Sequence, residues 1–235
     1  MRPVALAWLL LAAFGAGTAG AAPTLPRGLA GLISLADKPR PADCLPGRAS
    51  QRWALFDAPS LSARHMGSLD LGFGSAGDES CSAAMPWFRA VNGKTQTALA
   101  KFESGYEAVA LAVLEQRGDW VRLALANRTA WLLAPEDFTF AAYPALLAEK
   151  LAHATPHWSG ELCRSAGNRC EKAGIRASNA MTVVAISRVA NAVWLEVELT
   201  ADACQTGDTR VAARGWIRAY SRDGHPTVWF HSRGC

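Results

Sequence analysis

The sequence predicts an all-β protein made of two small barrels in tandem, joined by a short connector helix. From Trp53 onward the chain consists of short alternating apolar and polar runs separated by Gly, Asn and Asp, which is typical of small antiparallel strands. Two stretches of this kind resemble each other, and one helical stretch lies between them. At roughly 100–200 residues per domain, a chain of 235 residues accommodates two small domains.

Composition and charge exclude several classes of protein. Half of the residues are hydrophobic and nine are tryptophans, which excludes a disordered chain. The formal net charge is +4 and no run of Lys or Arg exceeds two residues, so we expect no nucleic-acid partner. Phosphate-binding glycine motifs and the G-x-S-x-G elbow are missing from the sequence. We therefore expect no cofactor and no catalytic residue.

Residues 1–21 have the pattern of a cleaved secretory signal peptide. Arg2 precedes the apolar run 4–14, and Ala19 and Ala21 are the small residues that signal peptidase requires. The alternative is a membrane anchor, but the run is shorter than the roughly 20 residues that span a bilayer. We expect a periplasmic or secreted protein with no membrane anchor after removal of the signal.

Six cysteines lie in the exported part of the chain, where an oxidising compartment favours disulfides. Several connectivities are possible. Pairing between neighbours is the simplest and predicts the bridges Cys44–Cys81, Cys163–Cys170 and Cys204–Cys235. The alternative is a zinc site, but no C-x2-C spacing is present, so we expect no metal at these cysteines.

The segment 22–50 is rich in proline and is expected to lead stiffly into the first barrel, with a helical turn near Leu29 to Leu35. Barrel 1 is predicted over 51–140 and barrel 2 over 156–235. A connector helix is predicted within 141–155, because Pro144 suits a first turn and Leu147 and Leu151 share one face.

The two similar stretches are 110–132 and 183–217. Each contains a strand, a polar turn, a strand that opens with Trp120 or Trp194, and a later strand that carries Trp131 or Trp216. Their unequal spacing predicts an insertion in each barrel, at about 72–102 and 200–209. Cys81 and Cys204 lie in these insertions, so we expect disulfides to fix two long loops.

The first unit resembles the bacterial SH3-like (SH3b) domain. The resemblance rests on the Asp119-Trp120-Val121-Arg122-Leu123 turn and strand, the Ala130-Trp131-Leu132 strand, the Phe56-Asp57-Ala58-Pro59-Ser60 segment and Gly67-Ser68-Leu69. The second unit matches only in its last half, and the 163–170 segment replaces its Pro-Ser turn. The resemblance implies a tandem of SH3-like barrels in an exported protein that engages the cell wall or its peptides.

Three strands place aromatic residues on the face that carries charge. In 120–125, 194–199 and 216–220 the alternate apolar residues define a buried face, and the tryptophans lie opposite. Those aromatics either pack against a neighbouring barrel or line a ligand groove. The second interpretation predicts ligand binding by Trp194, Trp216, Arg218, Tyr220 and Arg222.

Histidine spacing raises two further possibilities. His153 and His157 would share a face if they were helical, but Pro156 intervenes, so we expect no metal there. His225 and His231 flank the strand 227–230, near Cys235, which suggests a cysteine hydrolase. A terminal cysteine has no following helix N-terminus to lower its pKa, so a disulfide is favoured.

The sequence therefore predicts a non-catalytic exported binding or scaffolding protein of the bacterial envelope. Its expected partner is a cell-wall component, a peptide or an envelope protein. A cell-wall hydrolase on an SH3-like scaffold and an inhibitor or immunity-type protein remain alternatives.

Overall fold

The computed structural model describes residues 24–35, 49–73, 84–93, 95–105, 108–167, 170–172, 180–202 and 208–231. The predicted signal peptide lies outside these residues, as do Cys44, Cys81, Cys204 and Cys235. Within the described part of the chain, no helix is long and apolar enough to cross a membrane.

The described residues form an all-β protein of two antiparallel sheets with one short helix. The first sheet contains β1 (Gly31–Ser34), β2 (Ala49–Phe56), β3 (His65–Phe73), β4 (Ala84–Ala90), β5 (Gln96–Ala98), β6 (Phe102–Glu103), β7 (Val109–Arg117), β8 (Trp120–Ala124), β9 (Thr129–Leu133) and β10 (Thr139–Ala142). After helix α1 (Tyr143–Leu147), the second sheet contains β11 (Leu151–Ala154), β12 (Glu161–Cys163), β13 (Cys170–Lys172), β14 (Ala180–Val189), β15 (Ala192–Asp202), β16 (Asp208–Arg218) and β17 (Val228–Phe230).

The first sheet curls into a half-barrel of nine strands in the order β10-β1-β7-β8-β9-β2-β3-β4-β5, and β6 pairs with β7 beside this path. The second sheet has the order β13-β12-β16-β15-β14-β11-β17. Its centre is the pair of long hairpins formed by β14, β15 and β16.

The predicted core faces of the three tryptophan-led strands are buried, although Trp194, predicted on the opposite and more open face of β15, is itself only 4% exposed. Val121 and Leu123 of β8 are buried, as are Leu195 and Val197 of β15. After Trp216, Ile217 and Ala219 are buried as well. A period of two places every second side chain on the core face, so local sequence was sufficient to find these strands.

The leading segment differs from its prediction. No helical turn forms near Leu29 to Leu35, because residues 31–34 form β1, which lies between β7 and β10. Gly31 is needed at this position, because a Cβ there would overlap the carbonyl oxygen of Ala141 in β10. The segment thus supplies an inner strand of the first sheet.

The connector helix is shorter than predicted, and the insertions are not simple loops. Helix α1 ends at Leu147, and Glu149 then adopts a φ of 58° before the chain enters β11. The amide of Glu149 donates to Val183 of β14, so pairing with the second sheet replaces further helical turns. The first insertion contributes β4 and β5 to the half-barrel. The described residues of the second insertion extend β15 and β16, which still pair at Asp202 and Asp208.

One apolar core joins the two sheets. It contains Leu32 of β1 and Ala110 of β7, together with Leu195 of β15 and Phe230 of β17. Tyr143 lies within this cluster and is fully buried. A second core fills the half-barrel itself, with residues such as Leu55, Leu69, Leu111 and Val121.

Candidate functional site

The largest concentration of predicted site residues lies in a cleft of about 550 Å³ on the second sheet. We call it the sheet-two cleft. Its walls come from the turn at 157–159, the β12–β13 hairpin, and the end of β16 with the following turn. Four of the five predicted binding residues line it: Trp194, Arg218, Tyr220 and Arg222.

Trp194 and Arg218 form one side of the cleft. Trp194 lies on β15 opposite Arg218 of β16 and is only 4% exposed. The Arg218 guanidinium carbon lies 5.2 Å from the centre of the Trp194 ring, a distance that gives a cation–π interaction. The ring thereby holds the side chain of Arg218 in place, while its guanidinium remains exposed for a ligand.

Trp158 forms a further wall that sequence reasoning did not select. Its indole N–H donates to the carbonyl oxygen of Glu161 at 3.1 Å, and its ring packs against the core that joins the two sheets. Its position beside Pro156 and Gly160 in a turn could have marked it as a loop aromatic, which is a common binding residue.

Tyr220 serves the fold as well as the cleft. Its hydroxyl donates to the carbonyl oxygen of Leu29 at 2.7 Å, and its ring lies 5.1 Å from that of Tyr143. Burial raises the pKa of Tyr220 to about 12, so the phenol stays protonated at neutral pH. Only the ring of Tyr220 is therefore available to a ligand.

Trp216 does not line the sheet-two cleft. It lies half-buried on β16, where it pairs with Glu196 of β15 and with Cys163 of β12. β12 ends beside Trp216 as the edge-side neighbour of β16 in the sheet, and Arg218 follows two residues later on β16. Trp216 is therefore not part of the binding site that the sequence predicted around Arg218.

The cleft wall formed by β12 and β13 is closed by the predicted Cys163–Cys170 disulfide, which is confirmed. Cys163 pairs with Cys170 across the β12–β13 hairpin. Because both cysteines are bonded, neither is a thiolate nucleophile. The other two predicted bridges lie outside the described residues.

Gly215 allows this wall to approach the sheet. A Cβ at Gly215 would lie 2.6 Å from Cγ of Leu162 and 2.9 Å from the carbonyl oxygen of Cys163. Both distances are shorter than a non-bonded contact allows, and β12 cannot move freely because the disulfide ties it to β13.

We expect Gly215→Ala to lower the free energy of unfolding by about 1–3 kcal/mol, because overpacking forces backbone and side-chain shifts. Urea denaturation measures the effect. Gly105→Ala is the matched control, since a Cβ there would meet no atom within 4 Å. Equal stabilities of the two variants would contradict the close packing of β12 on β16.

The turn that follows β16 is held from two sides. The amide of Ser221 donates to His225 O, and that of Gly224 donates to Ser221 O. The amide of Gly28 in the leading segment donates to Gly224 O at 2.8 Å, which fastens the turn to the first sheet. The same turn carries Arg222 into the cleft.

The histidines pair across the fold and not along the sequence. His153 of β11 lies against His231, with 4.6 Å between ring centres, and His157 stacks on His225 at 4.1 Å with the planes 8° apart. His153 is on a strand, so the helical spacing that would unite it with His157 does not exist. Burial and the neighbouring His231 lower the pKa of His153, which favours its neutral form.

A second hollow of about 720 Å³ opens on the half-barrel and is lined by Val121, Phe138 and Phe140, with Asp119 and Glu136 among its polar residues. None of the predicted binding residues lines it. The sheet-two cleft is therefore the better candidate site.

Compared with protein-family models, curated proteins and solved structures, the chain has no match.

Proposed function

We propose that this chain is an exported, non-catalytic binding protein of the bacterial cell envelope, and that it holds a carboxylate-bearing peptide in the sheet-two cleft. The peptide would belong to the cell wall or to an envelope protein. The signal-like residues 1–21 and the Cys163–Cys170 disulfide support an oxidising, exported setting.

One observation carries the proposal: the cleft combines aromatic walls with two uncompensated cations. Arg218 and Arg222 are exposed, and neither forms an ion pair with another described residue. Glu161 is the carboxylate in the lining. Guanidinium groups bind carboxylates through paired N–H donors, and aromatic surfaces accept the apolar part of a peptide.

We further propose that each sheet contains an SH3-like barrel. In the first sheet, β7, β8 and β9 form a meander that returns to β2, which supports that arrangement. Gly67, in the Gly-x-Leu segment, has a φ of 144°, and a Cβ there would overlap the carbonyl oxygen of Arg89 in β4. This gives a physical reason for a glycine at that position of the motif.

Co-sedimentation with purified peptidoglycan tests the function. We expect the double variant Arg218→Ala/Arg222→Ala to bind at least about tenfold more weakly, since losing a central charged contact costs 1–2 kcal/mol or more. Arg188→Ala is the matched control, because Arg188 is exposed on β14 of the same sheet and does not line the cleft.

The proposal would be supported if the double variant bound the wall more weakly than wild type while Arg188→Ala bound it as wild type does. Wall binding that is unchanged in the double variant would contradict a role for the cleft. If the unmodified protein does not sediment with peptidoglycan, the same variants are compared in pull-downs from envelope extract. The proposed function would be overturned if the double variant lost no binding in either assay.

A further inference from the structure

Three metal-ligating side chains converge at the rim of the sheet-two cleft. His157 lines the cleft, and Asp223 and His225 lie on the turn beside it. One ligand atom of each residue lies within 4.8 Å of the others. Among the described residues this is the only group of three or more such side chains at that spacing.

The backbone that carries these side chains is held in place. The hydroxyl of Thr155 donates to the carbonyl oxygen of Pro226 at 2.6 Å and accepts from the amide of His157 at 3.2 Å. The segment before His157 is thereby fixed to the segment after His225. Both ligand-bearing turns are thus set against each other before any ligand arrives, which lowers the ordering cost of binding.

Some polar atoms of the group have no close hydrogen-bond partner among the described residues. His225 Nε2 lies 3.9 Å from a carboxylate oxygen of Asp223, which is beyond hydrogen-bond distance. His225 Nδ1 is buried and has no hydrogen-bond partner among the described residues. Asp223 keeps one short contact, a hydrogen bond from the Ser221 hydroxyl to Oδ1 at 2.6 Å, and its Oδ2 faces His225.

We propose that His157, Asp223 and His225 bind one divalent transition-metal ion of the zinc class. Imidazole and carboxylate are the ligands such ions take, at about 2.0–2.2 Å. Tetrahedral ligands at that bond length lie about 3.3 Å apart. The His157 and His225 rings are stacked with their planes 8° apart, so metal binding requires these rings to rotate out of the stack until a nitrogen of each points at the ion. Two nitrogen ligands disfavour Ca²⁺ and Mg²⁺, which prefer oxygen.

Three protein ligands leave one position of a tetrahedral ion open. Because His157 also lines the cleft, the ion would lie at the cleft rim, near Arg222. A carboxylate held there could occupy the open position. The metal site itself does not rest on the proposed function, because it requires only the three side chains.

Titration of the purified, tag-free protein with Zn²⁺ followed by calorimetry tests the site, and Co²⁺ absorption in the visible range reports the ligand geometry. We expect one ion per chain and a rise in the melting temperature on adding Zn²⁺. His157→Ala and Asp223→Asn are each expected to weaken Zn²⁺ binding at least about tenfold. Removing a metal ligand lowers the affinity more than removing a residue that only supports a ligand, which itself costs about tenfold or more.

His153→Ala is the matched control, since it removes a histidine from the other histidine pair, in which the rings of His153 and His231 are tilted by 51°. Asp223 is exposed, so Asp223→Asn should fold normally, and circular dichroism checks this. Absence of a stoichiometric binding event would overturn the proposal, as would binding that survives both His157→Ala and Asp223→Asn, or that is lost equally in His153→Ala. Zinc binding without peptidoglycan binding would leave this site standing while the proposed function failed.

Discussion

Asp70→Asn is expected to lower the free energy of unfolding by about 2–3 kcal/mol at neutral pH. Asp70 lies on β3 between Leu69 and Leu71, on the face opposite to theirs, and is fully buried. Its carboxylate receives Nε and Nη2 of Arg52 at 3.0 and 3.1 Å, and Nε of Arg89 at 2.7 Å. The Ser68 hydroxyl donates to the same carboxylate. The variant keeps the shape of the side chain but removes the charge that these donors surround.

The size of the effect follows from where the partner charges lie. Breaking a wholly buried pair costs about 3–5 kcal/mol, but the Arg52 side chain is 58% exposed and that of Arg89 is 24% exposed. Water can therefore reach both guanidinium groups after the charge of Asp70 is lost, and the penalty is smaller. Urea denaturation at pH 7 measures it.

The same carboxylate predicts the sign of a pH effect. Burial raises the pKa of Asp70, but the hydrogen bonds from Arg52, Ser68 and Arg89 outweigh burial and hold the pKa below its ordinary value. A depressed native pKa stabilises the fold at pH values above the unfolded value near 4. That contribution is lost as the pH falls from there through the native pKa, so the difference between wild type and Asp70→Asn should shrink on acidification.

Asp57→Asn is the control for this experiment. Asp57 forms an ion pair with Arg64 at 3.1 Å, but the Arg64 side chain is 78% exposed. Exposed pairs contribute about 0–1 kcal/mol. If the two variants lose the same stability, or if the loss in Asp70→Asn does not diminish at low pH, the interpretation of Asp70 as a buried anchor is wrong.

Local patterning predicted the strands because their information is local. The alternation in β15 and at the end of β16 identified the core face before any pairing was known, and the same alternation put Arg218 and Tyr220 on the cleft side. The short Cys163–Cys170 spacing with turn residues between predicted a hairpin bridge in the same way.

Long-range pairing was not predictable in the same manner. β1 is only four residues long and lies among prolines, so nothing nearby marks it as an inner strand, and its partners β7 and β10 come from far along the chain. The histidines show the same limit. Spacing along the sequence relates His153 to His157 and His225 to His231. The fold instead places His153 against His231 and His157 against His225.

Tyr143 is where these long-range contacts meet. Its side chain is fully buried, and its hydroxyl donates to Val228 O at 2.8 Å, with Ala219 O at 3.2 Å as a second acceptor. Its amide donates to Ala30 O next to β1. Burial raises the pKa of Tyr143 far above its ordinary value, so the phenol remains a donor at all physiological pH. Tyr143 thus ties the leading segment, through its amide, to both ends of the 219–228 hairpin, through its hydroxyl. This hairpin contributes Tyr220, Ser221, Arg222 and Thr227 to the cleft.

Tyr143→Ala is expected to lower the free energy of unfolding by about 3–5 kcal/mol, because it leaves a cavity in the core that joins the sheets. Tyr143→Phe keeps the ring and removes only the donor, so its cost should be about 1–2 kcal/mol. Urea denaturation measures both. Hydrogen exchange of the variants should show lost protection at the Thr227 amide, which donates to Ala219 O, while amides of β3 stay protected.

Tyr220→Phe is the matched control, because Tyr220 also donates to a backbone carbonyl but is only partly buried. Its cost should be below that of Tyr143→Phe. A Tyr143→Ala variant that loses protection equally in β3 and in the hairpin would mean that the sheets unfold as one unit. Unchanged protection at Thr227 in Tyr143→Phe would show that the hydroxyl does not hold the hairpin, and the cleft would then depend on ring packing alone.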